Sequence, residues 1–215
     1  MCIRDSEYID NSITKLNIYS YQIQAITPDG AGPTATTDRL VMGPALTVPY
    51  RCNFATDDQF ALWNVTDANN DEYTWKRETT LAAAYYSYNE DGETGGDDWL
   101  VSSPIHLEKN KIYRLKFKLQ SYDVSYPEKV AVHLGTGASV AEQTTLLGDY
   151  EVESNTFVEY KVILPERLES GNYHISFHCH SEPYMFILYV TDVLLEEVSE
   201  GVLSGVVTNG QTPLE

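Results

Sequence analysis

The sequence has few basic residues and no long apolar run. Against 32 Asp and Glu residues it has 14 Lys and Arg residues, which gives a formal net charge of −18 at pH 7. Such an acidic chain repels phosphate backbones and favours cation binding, so nucleic acid is not expected as a partner. No run approaches the roughly 18 apolar residues that a membrane-spanning helix needs. We therefore expect no membrane-spanning segment in this sequence.

Motifs that carry catalysis are also missing. The sequence has no Gly-x-Ser-x-Gly elbow, no His-Glu-x-x-His, no glycine-rich phosphate loop and no cysteine with an evident histidine partner. Pairs of carboxylates are abundant, but among 32 acidic residues such a pair is not diagnostic of a glycosidase. The sequence therefore predicts a protein that is not an enzyme.

Cysteine is scarce. Cys2 lies in residues 1–6, which match the translated end of a common sequencing-library transposon; we interpret this segment as adapter-derived and the sequence as a metagenomic fragment. Cys52 and Cys179 remain, and their spacing matches no metal or redox motif. A single disulfide and two buried free thiols are both compatible with the sequence.

Alternating strand patterns dominate the middle of the chain. In Ile112–Leu119 the apolar side chains occupy one face, and Arg114, Lys116 and Lys118 occupy the other. Similar runs, separated by Gly, Pro and Asn turn signals, are 129–134, 157–163, 173–179 and 186–190. The pattern predicts an all-β fold, an antiparallel jelly-roll β-sandwich, with one complete domain over residues 44–198.

Both ends of the chain resemble parts of other β-sandwich domains. Tyr19–Ala25 alternates strictly and precedes a turn-rich segment, which resembles the last two strands of a fibronectin type III domain over residues 7–43. Residues 199–215 contain Leu-Ser-Gly-Val-Val and an Asn-Gly turn, and they resemble the start of a carboxypeptidase regulatory-like domain. We therefore expect a partial β-sandwich remnant at each end.

A short acidic loop offers possible calcium ligands. Asp67, Asn69 and Asp71 alternate, which is the spacing of oxygen ligands in calcium loops. The match to an EF-hand is partial, because Glu72 follows where that motif has glycine. A solvated turn is the alternative, since Asn and Asp form turns unaided.

Two more acidic residues are candidate metal ligands. Asp98 precedes Trp99 and could bind a metal or accept hydrogen bonds from backbone N–H groups. Asp192 follows the apolar strand 186–190, where a buried carboxylate would need a partner. A cation shared by Asp98 and Asp192 would provide one.

Three histidines share one face of a predicted strand. His174, His178 and His180 have the same parity, opposite to that of Ile175 and Phe177. This pattern is compatible with a zinc face or with a polar, solvent-facing strand surface, and the latter is favoured because no other ligand can be assigned.

Tyrosine is abundant in two short segments. Tyr85, Tyr86 and Tyr88 lie in one of them, and Tyr122 and Tyr126 lie in the other. Such rings stack on sugars and pack in protein interfaces, although tyrosine is also a good strand residue. The strand role is the favoured interpretation.

Residues 48–197 resemble the cleaved adhesin family, the jelly-roll module of gingipain adhesin regions, which is close to the choice-of-anchor domains. The resemblance is strongest in the strand Asp98–Ile105. The other elements that carry it are Phe54, Trp63, the loop 67–71, Trp75, the run 82–87 and Thr191–Val193. The chain departs from the family at Ala55, where an acidic residue often follows the phenylalanine, and in the acidic loop, which lacks the usual glycines.

The resemblance implies a secreted or cell-surface, calcium-stabilised sandwich that binds host or extracellular proteins or glycans. Our first hypothesis is therefore a non-catalytic adhesion or ligand-binding module. The alternative is an accessory domain of a secreted peptidase or glycoside hydrolase whose catalytic domain lies outside this sequence. A purely structural spacer between domains is a third possibility.

Overall fold

The computed structural model describes residues 9–37, 39–88, 94–166 and 168–198, and their regular secondary structure is nearly all β. One short helix, α1 (Asp57–Ala61), and a single 3-10 turn at Val140–Glu142 interrupt the strands. In chain order the strands are β1 (Asn17–Tyr19), β2 (Gln22–Thr27), β3 (Gly30–Thr36), β4 (Leu40–Met42), β5 (Tyr50–Cys52), β6 (Asn64–Asp67), β7 (Lys76–Glu78), β8 (Ala83–Ser87), β9 (Asp98–Val101), β10 (Ile105–Leu107), β11 (Ile112–Ser121), β12 (Glu128–Gly135), β13 (Thr145–Val152), β14 (Val158–Ile163), β15 (Gly171–Cys179) and β16 (Ile187–Val198).

Two six-stranded antiparallel sheets form a β-sandwich. Sheet I has the order β13-β12-β15-β9-β6, and β10 pairs with β15 next to β9. Sheet II has the order β14-β11-β16-β8-β7, and β5 pairs with β16 next to β8. From β10 to β16 the chain changes sheet at every connection except the one between β12 and β13. The predicted antiparallel jelly-roll sandwich is confirmed.

The alternation in the sequence determines which side chains fill the space between the sheets. In β11, Tyr113, Leu115, Phe117 and Leu119 are buried, while the residues between them are half-buried. Because successive strand residues point to opposite faces, one face of the strand joins the core and the other faces solvent. The largest fully buried side chains include Trp63, Trp75, Tyr86, Phe54, Phe117 and Phe177.

The first strands form two separate small sheets. β1 pairs with β4, and β2 pairs with β3 through a turn at Pro28 and Asp29. The turn-rich segment predicted after Ala25 is Thr27–Pro33. The turn itself is shorter, because Gly30–Pro33 lies in β3. Ile23 and Ile26 of this hairpin are 65% and 74% exposed, so the hairpin buries little apolar surface.

The helix α1 was not expected from the sequence. Its N-cap is Thr56, whose side chain accepts a hydrogen bond from the backbone N–H of Gln59, and Asp57 and Asp58 occupy the first turn. Arg77 of β7 binds the carboxylate of Asp57 at 2.6 Å and thereby joins the helix to sheet II.

Cys52 and Cys179 are both free and buried. Cys52 lies in β5 of sheet II and Cys179 in β15 of sheet I, so the free-thiol alternative describes this fold. Cys2, residues 1–6 and the segment 199–215 with its carboxypeptidase regulatory-like resemblance lie outside the described residues. None of the described helices is long and apolar enough to cross a membrane.

Candidate functional site

The two acidic segments meet at one end of the sandwich. β6 ends at Asp67 and β9 begins at Asp98, and the strand register places these two residues directly opposite each other. In the loop after β6, Asn69 donates a hydrogen bond to the carbonyl oxygen of Gly95 at 2.9 Å, and Asp71 accepts one from the Thr94 hydroxyl at 3.2 Å. The fold therefore brings Asp67, Asn69, Asp71 and Asp98 together.

Local hydrogen bonds hold the acidic loop in shape. Asp67 accepts backbone N–H groups of Asp71 and Glu72 at 3.3 and 2.9 Å, and Asp71 accepts the N–H of Tyr73 at 2.9 Å. Asn70 and Glu72 have positive φ angles of 57° and 69°. These are the bonds of a tight turn, so the turn interpretation accounts for part of the role of Asp67 and Asp71.

Turn formation does not account for three buried oxygen atoms in this region. Asp98 is fully buried; its Oδ2 accepts the N–H of Asp97 at 3.2 Å, but its Oδ1 has no partner. The Oδ1 of Asn69 is also buried without a partner, and the Oγ1 of Thr74 has only a weak contact with the Asp98 carboxyl, whose pKa it lowers. Thr74 precedes Trp75, whose Nε1 donates to the backbone oxygen of Asp98 at 3.0 Å. Buried polar atoms without a partner cost free energy, and a bound cation would offset this cost.

The electrostatics of the site also favour a cation. Burial, together with the nearby negative charges of Asp67 and Asp71, raises the pKa of Asp98 to about 7. Carboxylate, amide, hydroxyl and backbone oxygens are the ligands that Ca²⁺ prefers. No group of three His, Cys, Asp or Glu side chains suited to a metal occurs among the described residues, so a calcium site here would need the Asn, Thr and backbone oxygens as well.

Asp192 lies elsewhere. It is in β16 of sheet II, where its carboxylate forms a 2.8 Å ion pair with Lys118 and its side chain is 48% exposed. The fold therefore does not bring Asp192 to Asp98. The sequence suggested a cation shared by Asp98 and Asp192. In this fold the partner of Asp192 is instead the ammonium group of Lys118.

A side-chain cation also occupies the turn where the chain departs from the family pattern. The guanidinium of Arg77 lies 3.5 Å from the carbonyl oxygen of Phe54, 3.3 Å from that of Ala55 and 2.6 Å from the carboxylate of Asp57. With Ala55 in place of an acidic residue, this group of oxygens is satisfied by arginine.

The three predicted histidines have three separate partners. His174 is buried, and its Nδ1 lies 2.6 Å from the carbonyl oxygen of Ser102. His178 bonds to Asp97 and His180 to Asp149, each at 2.8 Å. The ring of His178 stacks on Trp99, with a centroid distance of 4.0 Å and an interplanar angle of 8°. The fold thus gives each of these side chains its own hydrogen-bond partner, and the rings of His178 and His180 lie 5.5 Å apart.

The two histidine–aspartate pairs lack a nucleophile. No Ser, Thr or Cys side chain is hydrogen-bonded to the imidazole of His178 or His180 within the part of the chain that the structure describes. The thiols are unsuited as well, because burial raises the pKa of Cys52 and of Cys179. The arrangement offers no activated nucleophile next to a base.

Aromatic side chains form an open pocket at the same end of the sandwich as the acidic loops. We call it the aromatic pocket; it has a volume of about 340 Å³ and is lined by Tyr88, Tyr122, Asp123, Tyr126, Tyr184 and Phe186. Phe186 is central, because its ring lies 4.8 Å from that of Tyr122, 5.3 Å from that of Tyr88 and 6.2 Å from that of Tyr126. Tyr122, Tyr126 and Tyr184 are 54%, 45% and 56% exposed.

The segment 181–186 connects the aromatic pocket to the acidic loops. The backbone oxygen of Ser181 accepts the N–H of Gly96 at 2.9 Å. The buried carboxylate of Glu128 accepts the Ser181 hydroxyl at 2.5 Å and the N–H of Phe186 at 2.6 Å. The pocket is thus built on a segment held at both ends.

The sequence analysis named some residues of this pocket, but it favoured a strand role for them. Tyr88, Tyr122 and Tyr126 belong to the tyrosine-rich segments, but Tyr86 is a core residue and Tyr85 packs at 6.3 Å on Tyr189. Tyr184 and Phe186 were not recognised as site residues. The only local signal was two aromatic residues in the turn between two strands, where neither is needed for the sheet.

Comparison with solved structures identifies the fold. The model is similar to the K1 cleaved adhesin domain of Lys-gingipain from Porphyromonas gingivalis W83, with a TM-score of 0.58 and 19% identity over 71% of this chain and 99% of that domain. The K3 domain gives 0.54 and 18%, over 68% and 96%, and the K2 domain gives 0.54 and 14%, over 69% and 99%. No family model matches the chain, and no curated protein matches it. The likeness shows an adhesin-like jelly-roll fold.

Proposed function

We propose that this chain is a non-catalytic module of a secreted or cell-surface protein and that it binds extracellular proteins or glycans through the aromatic pocket. The observation that carries the proposal is the group of exposed rings around Phe186, with the carboxylate of Asp123 beside them. Exposed aromatic clusters mark interaction sites, because such rings stack on sugars and provide large contact areas in interfaces.

The comparison supports a binding role. The K1, K2 and K3 domains are named as adhesin domains, and the module shares their fold.

Calcium is the second part of the proposal. We assign a calcium site to Asp67, Asn69, Asp71 and Asp98, with the hydroxyl of Thr74 as a further oxygen donor. The buried Oδ1 of Asn69, which has no partner, and the buried Asp98 carboxyl, whose Oδ1 has at most the Thr74 hydroxyl beside it, support it. We leave Asp192 out, because Lys118 is its partner. Bound calcium would neutralise the carboxylates and hold the loop segment 94–98 against Ser181.

The binding proposal can be tested with panels of immobilised glycans and extracellular matrix proteins. We expect the full chain to bind at least one of them, and we expect the double variant Tyr122→Ala/Tyr126→Ala to bind it at least tenfold more weakly. Truncating a central interface tyrosine costs about 1–2 kcal/mol, and tenfold corresponds to about 1.4 kcal/mol. Leu146→Ala, an exposed apolar residue of sheet I that is 57% exposed, is the matched control. No binding to either panel, or equal binding by the double variant, would contradict the proposal.

The role of an accessory domain in a longer secreted peptidase or hydrolase stays a prediction. Sequencing the genomic region around this reading frame tests it, since an adjoining catalytic domain would support it and adjoining repeats alone would oppose it.

A further inference from the structure

The outer face of sheet II has a notch in its centre. β5 and β8 lie end to end along the same edge of β16, because β8 pairs with Ile187–Val190 and β5 pairs with Val193–Leu195. Between the two, the register of β16 against β11 shifts, and Asp192 has a φ of 50°. Bulges of this kind bend a strand and redirect its side chains. The surface next to this bulge is therefore concave.

A cleft of about 490 Å³ occupies this position, and its polar walls carry more cationic than anionic side chains. Its hydrogen-bond donors are Arg51, Lys116, Lys118, Asn53 and Gln59, and its carboxylates are Glu159 and Asp192. We call it the basic cleft. In a chain with 14 basic and 32 acidic residues, three cations around one cleft are an unusual concentration of positive charge.

More positive charge lies next to the cleft. Lys161 is directly opposite Lys116 in the register of β11 and β14, and Arg114 follows on the same face of β11. The neighbouring Lys161, Lys116 and Lys118 lower the pKa of the Glu159 carboxyl. Lys116 and Arg114 lower the pKa of Glu196 to about 2. Both shifts come mainly from direct hydrogen bonds, because Lys161 pairs with Glu159 at 2.9 Å and Lys116 and Arg114 pair with Glu196.

Arg51 is the cation without a partner. Lys116 pairs with Glu196 and Lys118 pairs with Asp192, each at 2.8 Å. The guanidinium of the exposed Arg51, by contrast, makes no hydrogen bond or ion pair with any residue that the structure describes. A guanidinium binds a carboxylate through two parallel hydrogen bonds, so Arg51 is the natural anchor for a ligand carboxylate.

The cleft continues into a second recess of about 350 Å³ that shares Arg51, Cys52 and Gln59 with it. The far walls of this recess are Leu46, Pro49, Tyr50 and Leu62. Arg51 therefore lies between the charged basic cleft and the apolar recess. An elongated site of this kind suits an oligomer of several sugar or amino-acid units better than a single small anion.

We propose that the basic cleft binds an acidic polysaccharide, with a uronic acid carboxylate on Arg51. The carboxylates of Glu159 and Asp192 accept hydrogen bonds from sugar hydroxyl groups. The amides of Asn53 and Gln59 add N–H donors, since their oxygens already accept the N–H of Ala55. The same two carboxylates disfavour densely charged phosphate or sulfate groups. An acidic peptide is a weaker fit, because it brings carboxylates but few hydroxyl groups.

This site is separate from the aromatic pocket and from the calcium site. The basic cleft lies on the outer face of sheet II, whereas the pocket is built from the loops at one end of the sandwich. Binding at the basic cleft goes beyond the proposed function. The proposal for the basic cleft and the proposal for the aromatic pocket can each fail without the other.

Isothermal titration calorimetry with hexagalacturonate tests the proposal, using the full chain in calcium-free buffer. The fully methyl-esterified hexamer is the neutral probe, and a hexaglutamate peptide is the acidic peptide probe. We expect hexagalacturonate to bind, to bind more weakly as the salt concentration rises, and to bind at least tenfold more tightly than either of the other probes.

Substitutions then test whether the ligand binds at Arg51. We expect Arg51→Ala to weaken hexagalacturonate binding at least tenfold. Arg51→Lys should weaken it less, because lysine keeps the positive charge but lacks the paired N–H donors that bind a carboxylate bidentately. Lys76→Ala, an exposed cation on β7 of the same sheet, is the matched control and should bind like the original chain. The variant Tyr122→Ala/Tyr126→Ala should also bind hexagalacturonate normally. Absence of hexagalacturonate binding, unchanged affinity in Arg51→Ala, or equal binding of the ester or the peptide would overturn the proposal.

Discussion

Asp67 and Asp98 lie directly opposite each other on the neighbouring antiparallel strands β6 and β9. Residues in such a cross-strand pair point to the same face of the sheet, and two like charges in this position destabilise it. One of the two, Asp98, is fully buried and has an oxygen without a partner. A cation between them would convert a destabilising pair into a stabilising one.

Calcium should therefore raise the melting temperature of the chain. Binding at a concentration 100 times the Kd adds about 2.7 kcal/mol, which for a protein of this size is about 5 to 10 °C. A thermal melt in EDTA and then in millimolar calcium measures the shift. Asp98→Asn should abolish the shift. Asp192→Asn should retain it, because Asp192 is not one of the proposed ligands and asparagine tolerates the positive φ at position 192. An unchanged melting temperature with calcium would remove the cation from the proposed function.

The stability of the calcium-free chain should depend on the protonation of Asp98. Burial raises the pKa of this group from 3.8 to about 7 in the folded state, so the folded state holds the proton more tightly than the unfolded state does. The stabilising contribution is therefore complete below pH 3.8 and is lost as the pH rises through about 7. In EDTA, the melting temperature of Asp98→Asn minus that of the original chain should increase between pH 4.5 and 8. A constant difference would mean that Asp98 ionises normally.

Glu128 should hold the aromatic pocket in shape. Its buried carboxylate accepts hydrogen bonds from the Ser181 hydroxyl and the Phe186 N–H. Glu128→Ala leaves the Phe186 N–H without its acceptor and the Ser181 hydroxyl with only a 3.5 Å contact to the carbonyl oxygen of Lys129, and it should cost about 2 to 3 kcal/mol in urea unfolding. Glu128→Gln keeps an acceptor and should cost less. Amide hydrogen exchange at Phe186 should become faster in the Ala variant, and equal protection in both variants would contradict this role.

His133 should be a source of acid sensitivity. Both of its ring nitrogens are buried, the backbone of Gln143 is at most a weak partner for the ring, and the ring lies 5.0 Å from that of Trp99. Burial lowers the pKa of His133, so stability is lost as the pH falls below the ordinary value of 6.5. His133→Leu should raise stability by about 1 kcal/mol and reduce the loss between pH 7 and 5. His106→Leu, at an exposed position, is the control, and equal effects of the two variants would contradict the prediction.

Cys52 and Cys179 should react only after unfolding. Both are free and buried, and they lie in opposite sheets. In a Cys2→Ser variant, mass spectrometry after treatment with N-ethylmaleimide should show no label on the native protein and two labels after denaturation without a reductant. A denatured protein that takes up label only after reduction would instead reveal a disulfide.

The sandwich was predictable because its longest strands alternate cleanly. Tyr113, Leu115, Phe117 and Leu119 all have the same parity in β11, and all four are buried. β13 was not recognised, because Gly148 interrupts its pattern and only Val152 among its apolar residues is fully buried. Helix α1 is only five residues long, which is too short for a helical period to be visible.

The acidic loops were recognisable from their composition, and their meeting follows from one strand pair, β6 with β9. The position of Asp192 was not predictable, because it depends on which sheet each strand joins. The aromatic pocket depends on contacts between distant segments. Tyr122 donates its N–H to Ile187, and Tyr88 donates its N–H to Phe186. No local pattern in the sequence specifies those pairs.

The first and last strands of the sandwich are neighbours. Tyr50 of β5 pairs with Leu195 near the end of β16, while Phe186, just before β16 begins, lies in the aromatic pocket at the opposite end. The chain therefore enters and leaves the sandwich at one pole, and the pocket and the acidic loops occupy the other. In a longer protein, linkers attached at the pole where the chain enters and leaves would hold the aromatic pocket and the acidic loops away from the rest of the molecule. Lengthening either linker would extend the distance that the pocket can reach without changing the pocket itself.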